Sequence, residues 1–183
     1  MLTIDEAVNS LKKSNVLILP TDTLYGIGAL AYSYFAVKKV FDLKKRNYNK
    51  AMPVHYANIA LIEKDCVIED QARILMERHW PGGLTIILKK KTNSKLQFVN
   101  DSVAVRIPNN KDLLKILEII DQPLVMPSAN ISDEENIFYF KDIQKKFNLD
   151  GIESDLTIKQ APSTIISFDG GAMKILRQGV VKL

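Results

Sequence analysis

The sequence predicts an α/β fold, a twisted mixed sheet flanked by helices. Short continuous apolar runs, such as Val16 to Leu19, Leu84 to Leu88 and Val103 to Ile107, have the length and composition of buried strands. Between them lie longer segments whose apolar residues recur at helical spacing, such as Leu113, Ile116, Leu117 and Ile120. The two signals alternate along most of the chain, which is the pattern of a sheet built from strand and helix units. No repeat, and no linker rich in Pro, Gly or Ser, divides the 183 residues, so one domain over 1–183 is expected.

The elements follow in order. Thr3 with Glu6 three residues later forms a capping box, and Ile4, Ala7, Val8 and Leu11 make one apolar helix stripe. The strand Val16 to Leu19 stops at Pro20 and opens into Thr21, Asp22, Thr23, Leu24, Tyr25, Gly26, Ile27 and Gly28. That stretch reads either as a turn, with Gly26 and Gly28 supplying conformational freedom, or as a site presented at a strand end. Ser33 caps a helix that buries Ala36, Val37, Val40 and Phe41 and ends in the basic loop Lys44 to Asn47. Pro53 to Tyr56 reads as a short strand, and Ala72, Leu75, Met76 and His79 as a helix stripe that Trp80-Pro81-Gly82-Gly83 breaks. The strands Leu84 to Leu88 and Val103 to Ile107 follow, then the helix around Leu113 to Ile120 and the strand Leu124 to Met126. Phe140, Ile143 and Phe147 mark a further helix, and Thr164 to Phe168 with Met173 to Leu176 a hairpin turning at Asp169-Gly170-Gly171.

Composition narrows the function classes. No apolar run approaches the roughly 18 residues of a membrane span, and Met1 to Glu6 lacks the order of a signal peptide, so a cytoplasmic protein is expected. With Cys66 as the one cysteine no intrachain disulfide is possible, and His55 and His79 show no metal-ligand spacing. The net charge of +4 favours anionic partners, nucleotides and RNA among them. Most lysine pairs read as solvated helix faces, the run at Lys44 excepted.

Polar groups collect where strands end. Leu19-Pro20 exits into Thr21 and Thr23, Arg106 ends its strand, Met126-Pro127 exits into Ser128 and Asn130, and Pro162 leads into Ser163. In α/β sheets that is where ligands bind. The set suits phosphate and carboxylate, with Arg46 and Arg106 capable of bidentate contacts and Lys44 a point charge. Phosphate-loop, dinucleotide and nucleophile-elbow motifs are absent, so the expected site works by positioning and charge neutralisation. Plainer readings stand beside this one. Ser128 and Asn130 would serve equally to cap a helix, Arg106 would be satisfied by a structural carboxylate, and His55 would be a satisfied core histidine.

Eight segments carry a resemblance. Pro20-Thr-Asp-Thr-Leu-Tyr-Gly26, Lys44-Lys-Arg46, Pro53-Val-His55, Trp80-Pro-Gly-Gly-Leu-Thr85, Val103-Ala-Val-Arg-Ile-Pro108, Pro127-Ser-Ala-Asn130, Pro162-Ser-Thr-Ile-Ile166 and Leu176-Arg-Gln-Gly179 are similar, in this order, to YrdC-type threonylcarbamoyl-adenylate synthases. The resemblance implies a YrdC-like fold with an open concave cavity. It also implies synthesis of threonylcarbamoyl-AMP and pyrophosphate from L-threonine, bicarbonate or carbon dioxide, and ATP with Mg²⁺, without an organic cofactor. The product would feed threonylcarbamoyladenosine modification of tRNA through a separate transferase complex. By position, Thr23, His55, Arg106, Ser128 and Ser163 are the implied threonine-binding residues, and Arg46, Lys50, Ser102, Asn130 and Arg177 the nucleotide-binding ones. Lys44 and Arg46, the Lys-x-Arg element, are the implied catalytic pair.

The chain also departs from the family pattern. Gly83 replaces a usual proline, Phe168 stands where an aspartate is common, and Ser132 to Asn136 replaces a small, hydroxyl-rich loop with one carrying Asp133, Glu134 and Glu135. Acids there are unfavourable beside a triphosphate. They sustain a second reading, an RNA-binding protein that uses a basic concave surface to contact tRNA or double-stranded RNA, with nucleotide binding vestigial.

Overall fold

The computed structural model describes residues 1–99, 101–154, 161–169 and 171–183. The elements are α1 (Ile4–Lys12), β1 (Leu17–Leu19), β2 (Gly26–Leu30), α2 (Tyr34–Leu43), β3 (Val54–His55), α3 (Ile59–Asp65), β4 (Cys66–Val67), α4 (Asp70–His79), β5 (Leu84–Lys90), β6 (Ser102–Arg106), α5 (Lys111–Ile120), β7 (Leu124–Val125), α6 (Phe140–Phe147), β8 (Thr164–Asp169) and β9 (Ala172–Arg177). They pair into one curled, open sheet in the order β1-β2-β7-β3-β6-β5-β8-β9, with β4 on β5. The sheet is mixed, as expected: β3 with β6 and β5 with β8 are parallel and the other pairs antiparallel.

Local chemistry explains the element starts. Thr3 and Glu6 form the expected capping box, the Thr3 amide donating to Glu6 Oε2 at 2.8 Å. Ser33 Oγ caps α2 at the Ala36 amide, and Asn110 Oδ1 caps α5 at the Leu113 amide. Short elements escaped the pattern reading. The helix α3 is only seven residues long, too short for a periodic stripe to stand out, and its Asn58 cap shows only in space.

Gly26 and Gly28 correct the reading of the opening loop. Both lie in β2, which is buried throughout and pairs with β1, so their role is close packing rather than a turn. A Cβ on Gly26 would come within 2.6 Å of Met126 Cγ, and one on Gly28 within 2.6 Å of Leu19 Cδ1. The glycine at φ +84° is Gly171, in the expected turn of the β8–β9 hairpin; Gly170 lies outside the described residues.

Two apolar clusters pack on opposite faces of the sheet. One joins α2, α3, α4 and α6 to the inward residues of nearly every strand, including Ile27, Val54, Ile86, Val105 and Ile166. The other joins α1 and α5 to Leu17, Leu19, Leu30, Leu124 and Met126. These two helices therefore cover only the β1-β2-β7 end of their face. Because side chains alternate along a strand, the remaining strands turn His55, Thr85, Ile87, Ala104, Arg106 and Ile165 toward a hollow that no helix among the described residues covers. Asp65 braces the covered side: buried, it accepts from the hydroxyls of Tyr32 (2.7 Å), Tyr56 (2.9 Å) and Ser94 (2.6 Å). Next to it, burial and then the Asp65 charge push the Cys66 thiol up to about 12, so it stays protonated packing.

Candidate functional site

The hollow has a volume of about 610 Å³. One end is built on the loop that leaves β1. Thr21 Oγ1 accepts from the Thr23 amide (2.9 Å) and donates to the Leu24 carbonyl (2.6 Å), which folds the loop back on itself. Thr23 and Asp22 are thereby presented to Arg106 at the end of β6. The guanidinium donates from Nη1 to Thr23 Oγ1 (2.8 Å), from Nη2 to Asp22 Oδ1 (2.5 Å) and from Nε to the Gly82 carbonyl (2.8 Å). Asp22 Oδ1 also accepts from the Asn109 amide at 3.0 Å. Asp22 is thus the structural carboxylate that a buried arginine needs, and it leaves Arg106 two further N–H donors beside the cavity.

His55 pairs with Arg106 across β3 and β6 and is 3% exposed. Burial, and next the Arg106 charge, hold its pKa well below the ordinary histidine value, so the ring is neutral. The expectation of a satisfied core histidine fails, because among the described residues neither ring nitrogen has a partner. Among the described residues, the buried side-chain polar atoms lacking a partner are these two nitrogens and Ser132 Oγ, and both residues line this one cavity.

At the other end Lys44 closes α2. Its ammonium is buried and donates to the carbonyls of Ser128 (2.6 Å) and Asn130 (2.5 Å) and to Asn130 Oδ1 (3.2 Å). Three protons meet three acceptors, so Lys44 clamps the Ser128 to Asn130 loop rather than presenting a free charge. Desolvation, with Arg46 adding repulsion, brings its pKa down to about 8. Ser128 and Asn130 do not cap a helix: Ser128 Oγ donates to Asn130 Oδ1 (2.6 Å), and Asn130 Nδ2 to the Glu134 carbonyl (2.7 Å). Arg46 is half-buried and holds the carbonyls of Lys50 (3.3 Å) and Ala51 (2.6 Å).

The third wall links the two ends. Ser163 Oγ accepts from Thr85 Oγ1 (2.8 Å) and from Arg177 Nη2 (3.0 Å), while Arg177 Nε donates to the Ser163 carbonyl (3.0 Å). Thr23, Lys44, Arg46, His55, Arg106, Ser128, Asn130, Ser163 and Arg177 therefore share one cavity. Two expected residues do not line it. Lys50 stands at the rim, its Nζ 2.8 Å from Asp133 Oδ2, and Ser102 is exposed at the opposite end of β6 from Arg106. Sequence reasoning passed over Thr85 and Ser132; a hydroxyl inside the apolar run Leu84 to Leu88 is the one signal for the first.

A curled α/β sheet whose concave face gathers guanidinium, hydroxyl, amide and imidazole groups has the donor chemistry of a pocket for small anionic ligands. The family profile for Sua5, YciO and YrdC, which carries the description "telomere recombination", matches residues 9–179, and the chain belongs to this family. A relative from Methanocaldococcus jannaschii, provisionally named threonylcarbamoyl-AMP synthase, is 34% identical over 172 residues, covering 92% of this chain and 81% of that one. The threonylcarbamoyl-AMP synthase of Pyrococcus abyssi is 30% identical over 188 residues, 97% of this chain, which spans only 54% of it. The structure of P. abyssi Sua5 complexed with L-threonine superposes with a TM-score of 0.85 at 30% identity, over 96% of this chain and 54% of that one. The fold is shared with Escherichia coli YciO, TM-score 0.87 at 22% identity over 98% and 90% of the two chains.

Proposed function

We propose that this chain is a nucleotidyltransferase that forms threonylcarbamoyl-AMP and pyrophosphate from L-threonine, bicarbonate or carbon dioxide, and ATP. One observation carries the reading. Buried polar atoms are almost always paired in folded proteins, and here the unpaired side-chain ones among the described residues, on His55 and Ser132, sit on the same cavity. A ligand with polar groups toward both residues would satisfy them. The named relatives and the threonine complex of P. abyssi Sua5 support an amino acid as one part of that ligand.

The Arg106 end suits the amino acid. The free guanidinium donors would take its carboxylate, the neutral His55 ring offers one donor and one acceptor, and Thr23, Ser128 and Ser163 add hydroxyls. Arg46 and Arg177, with the Lys44-clamped Asn130 loop between them, would hold the nucleotide. The threonine amine adds to carbon dioxide and releases a proton. A carbamate oxygen then attacks the α-phosphorus of ATP, and the bond to the β-phosphate oxygen breaks to release pyrophosphate. Mg²⁺ enters as part of MgATP, and arginine charge stabilises the leaving group. The product is an activated acyl donor suited to tRNA modification by a later transferase. A hollow of about 610 Å³ fits these small molecules better than an RNA surface does, so the RNA-binding reading is not favoured.

Purified protein with threonine, bicarbonate and MgATP should release pyrophosphate only when threonine is present. Failure to do so, where a control synthase turns over, rules the proposal out.

A further inference from the structure

The loop from Ser132 to Asn136, one of the departures from the resemblance, holds a carboxylate at the cavity mouth. It is held on both sides of Asp133. The Ser132 amide donates to the Lys44 carbonyl (2.9 Å), Asn130 Nδ2 holds the Glu134 carbonyl (2.7 Å), and Glu134 pairs with Lys146 (2.5 Å). At the apex Asp133 takes a left-handed backbone conformation, φ +68°. Its carboxylate lines the cavity and accepts from Lys50 Nζ through both oxygens, at 3.1 and 2.8 Å. Lys50 lies on the facing loop, which Arg46 anchors through the carbonyls of Lys50 and Ala51. Ser132, whose buried Oγ has no partner among the described residues, lines the same cavity.

A carboxylate and a phosphate oxygen are the same kind of acceptor for an ammonium, so they exclude each other on Lys50. We propose that Asp133 is a latch across the nucleotide end of the cavity. The outer phosphates of an entering nucleotide displace it from Lys50, and its return to Lys50 helps expel pyrophosphate. This rests on the synthase reading, since it takes the competing anion to be a polyphosphate. Both partners are exposed, 50% and 77% at their side chains, which makes the pair weak enough for a substrate to open.

The test uses the full chain with Asp133→Asn and titration calorimetry with MgATP, inorganic pyrophosphate and AMP at one ionic strength. MgATP and pyrophosphate should bind about two- to fivefold tighter than to the unmodified protein, the scale of an exposed ion pair. AMP, lacking outer phosphates, should bind unchanged. Lys50→Ala should cost more MgATP affinity in the Asp133→Asn background than in the unmodified one, because Lys50 is then free to meet phosphate. Unchanged or weaker MgATP and pyrophosphate binding in Asp133→Asn, or an equal gain for AMP, overturns the latch while leaving the synthase reading intact. If the unmodified protein binds neither MgATP nor pyrophosphate, the synthase reading fails and the latch fails with it.

Discussion

Arg106 shows how single residues set this site. Its three bonds, to Asp22, Thr23 and Gly82, fix the guanidinium plane, so the two remaining donors have a defined direction. Arg106→Lys keeps the charge but not the fork, and threonine affinity measured by calorimetry should fall on the order of tenfold or more. His55 makes a pH prediction. Its folded pKa is depressed below the ordinary 6.5, so the unfolded chain binds a proton that the folded one refuses. Stability is therefore complete above about pH 6.5 and lost as pH falls below it, by about 1.4 kcal/mol per pH unit until the folded pKa is reached. Denaturant midpoints at pH 7 and 5.5 should show this fall in the unmodified protein and a smaller one in His55→Gln; equal falls would mean that His55 is not held neutral. Lys44 is a third case, since Lys44→Met leaves the Ser128 and Asn130 carbonyls buried without their donor. A loss of about 2 kcal/mol in unfolding free energy is expected.

At the scale of elements, close approach rather than turn geometry explains most of the glycines that matter. Gly151 lies against β1, where an added Cβ would come within 2.1 Å of the Ile18 carbonyl oxygen. Gly28 faces instead the tip of the Leu19 side chain, which can rotate away. Gly151→Ala should therefore cost several kcal/mol and Gly28→Ala roughly 1–2, compared by thermal or denaturant unfolding. Similar costs at the two positions would refute the distinction between backbone and side-chain obstruction. Elements with strong local signals were legible in advance: the Thr3–Glu6 box, the Ser33 cap and the α5 stripe all recur in the fold. β2 was not, because its glycines look like turn residues until β1 and β7 are seen on either side of it.

For the molecule as a whole, among the described residues α1 and α5 cover only one end of their face of a sheet of nine strands, and the cavity lies on the rest. Ligands that fill it should stabilise the fold through mass action, by about 2.7 kcal/mol at a hundredfold excess over Kd. Threonine and MgATP should each raise the unfolding temperature, and Arg106→Ala should remove the threonine response while retaining the MgATP one. Loss of both responses would show that Arg106 holds the sheet together rather than the amino acid. The described residues contain no helix long and apolar enough to cross a membrane and no group of three metal-ligating side chains.

The sequence by itself determined the α/β class, most elements and the strand-end residues that converge, because apolar periodicity, caps and prolines are local signals. Its resemblance to the family also marked the Ser132 to Asn136 loop as unusual. Only the tertiary structure decided what each polar group does, because hydrogen-bond partners lie far apart in the chain. Lys44 became a clamp when its ammonium met carbonyls of residues 128 and 130, and Asp22 became the partner of Arg106. His55 and Ser132 became the groups a ligand would satisfy because the fold buries them and the described residues supply no partner.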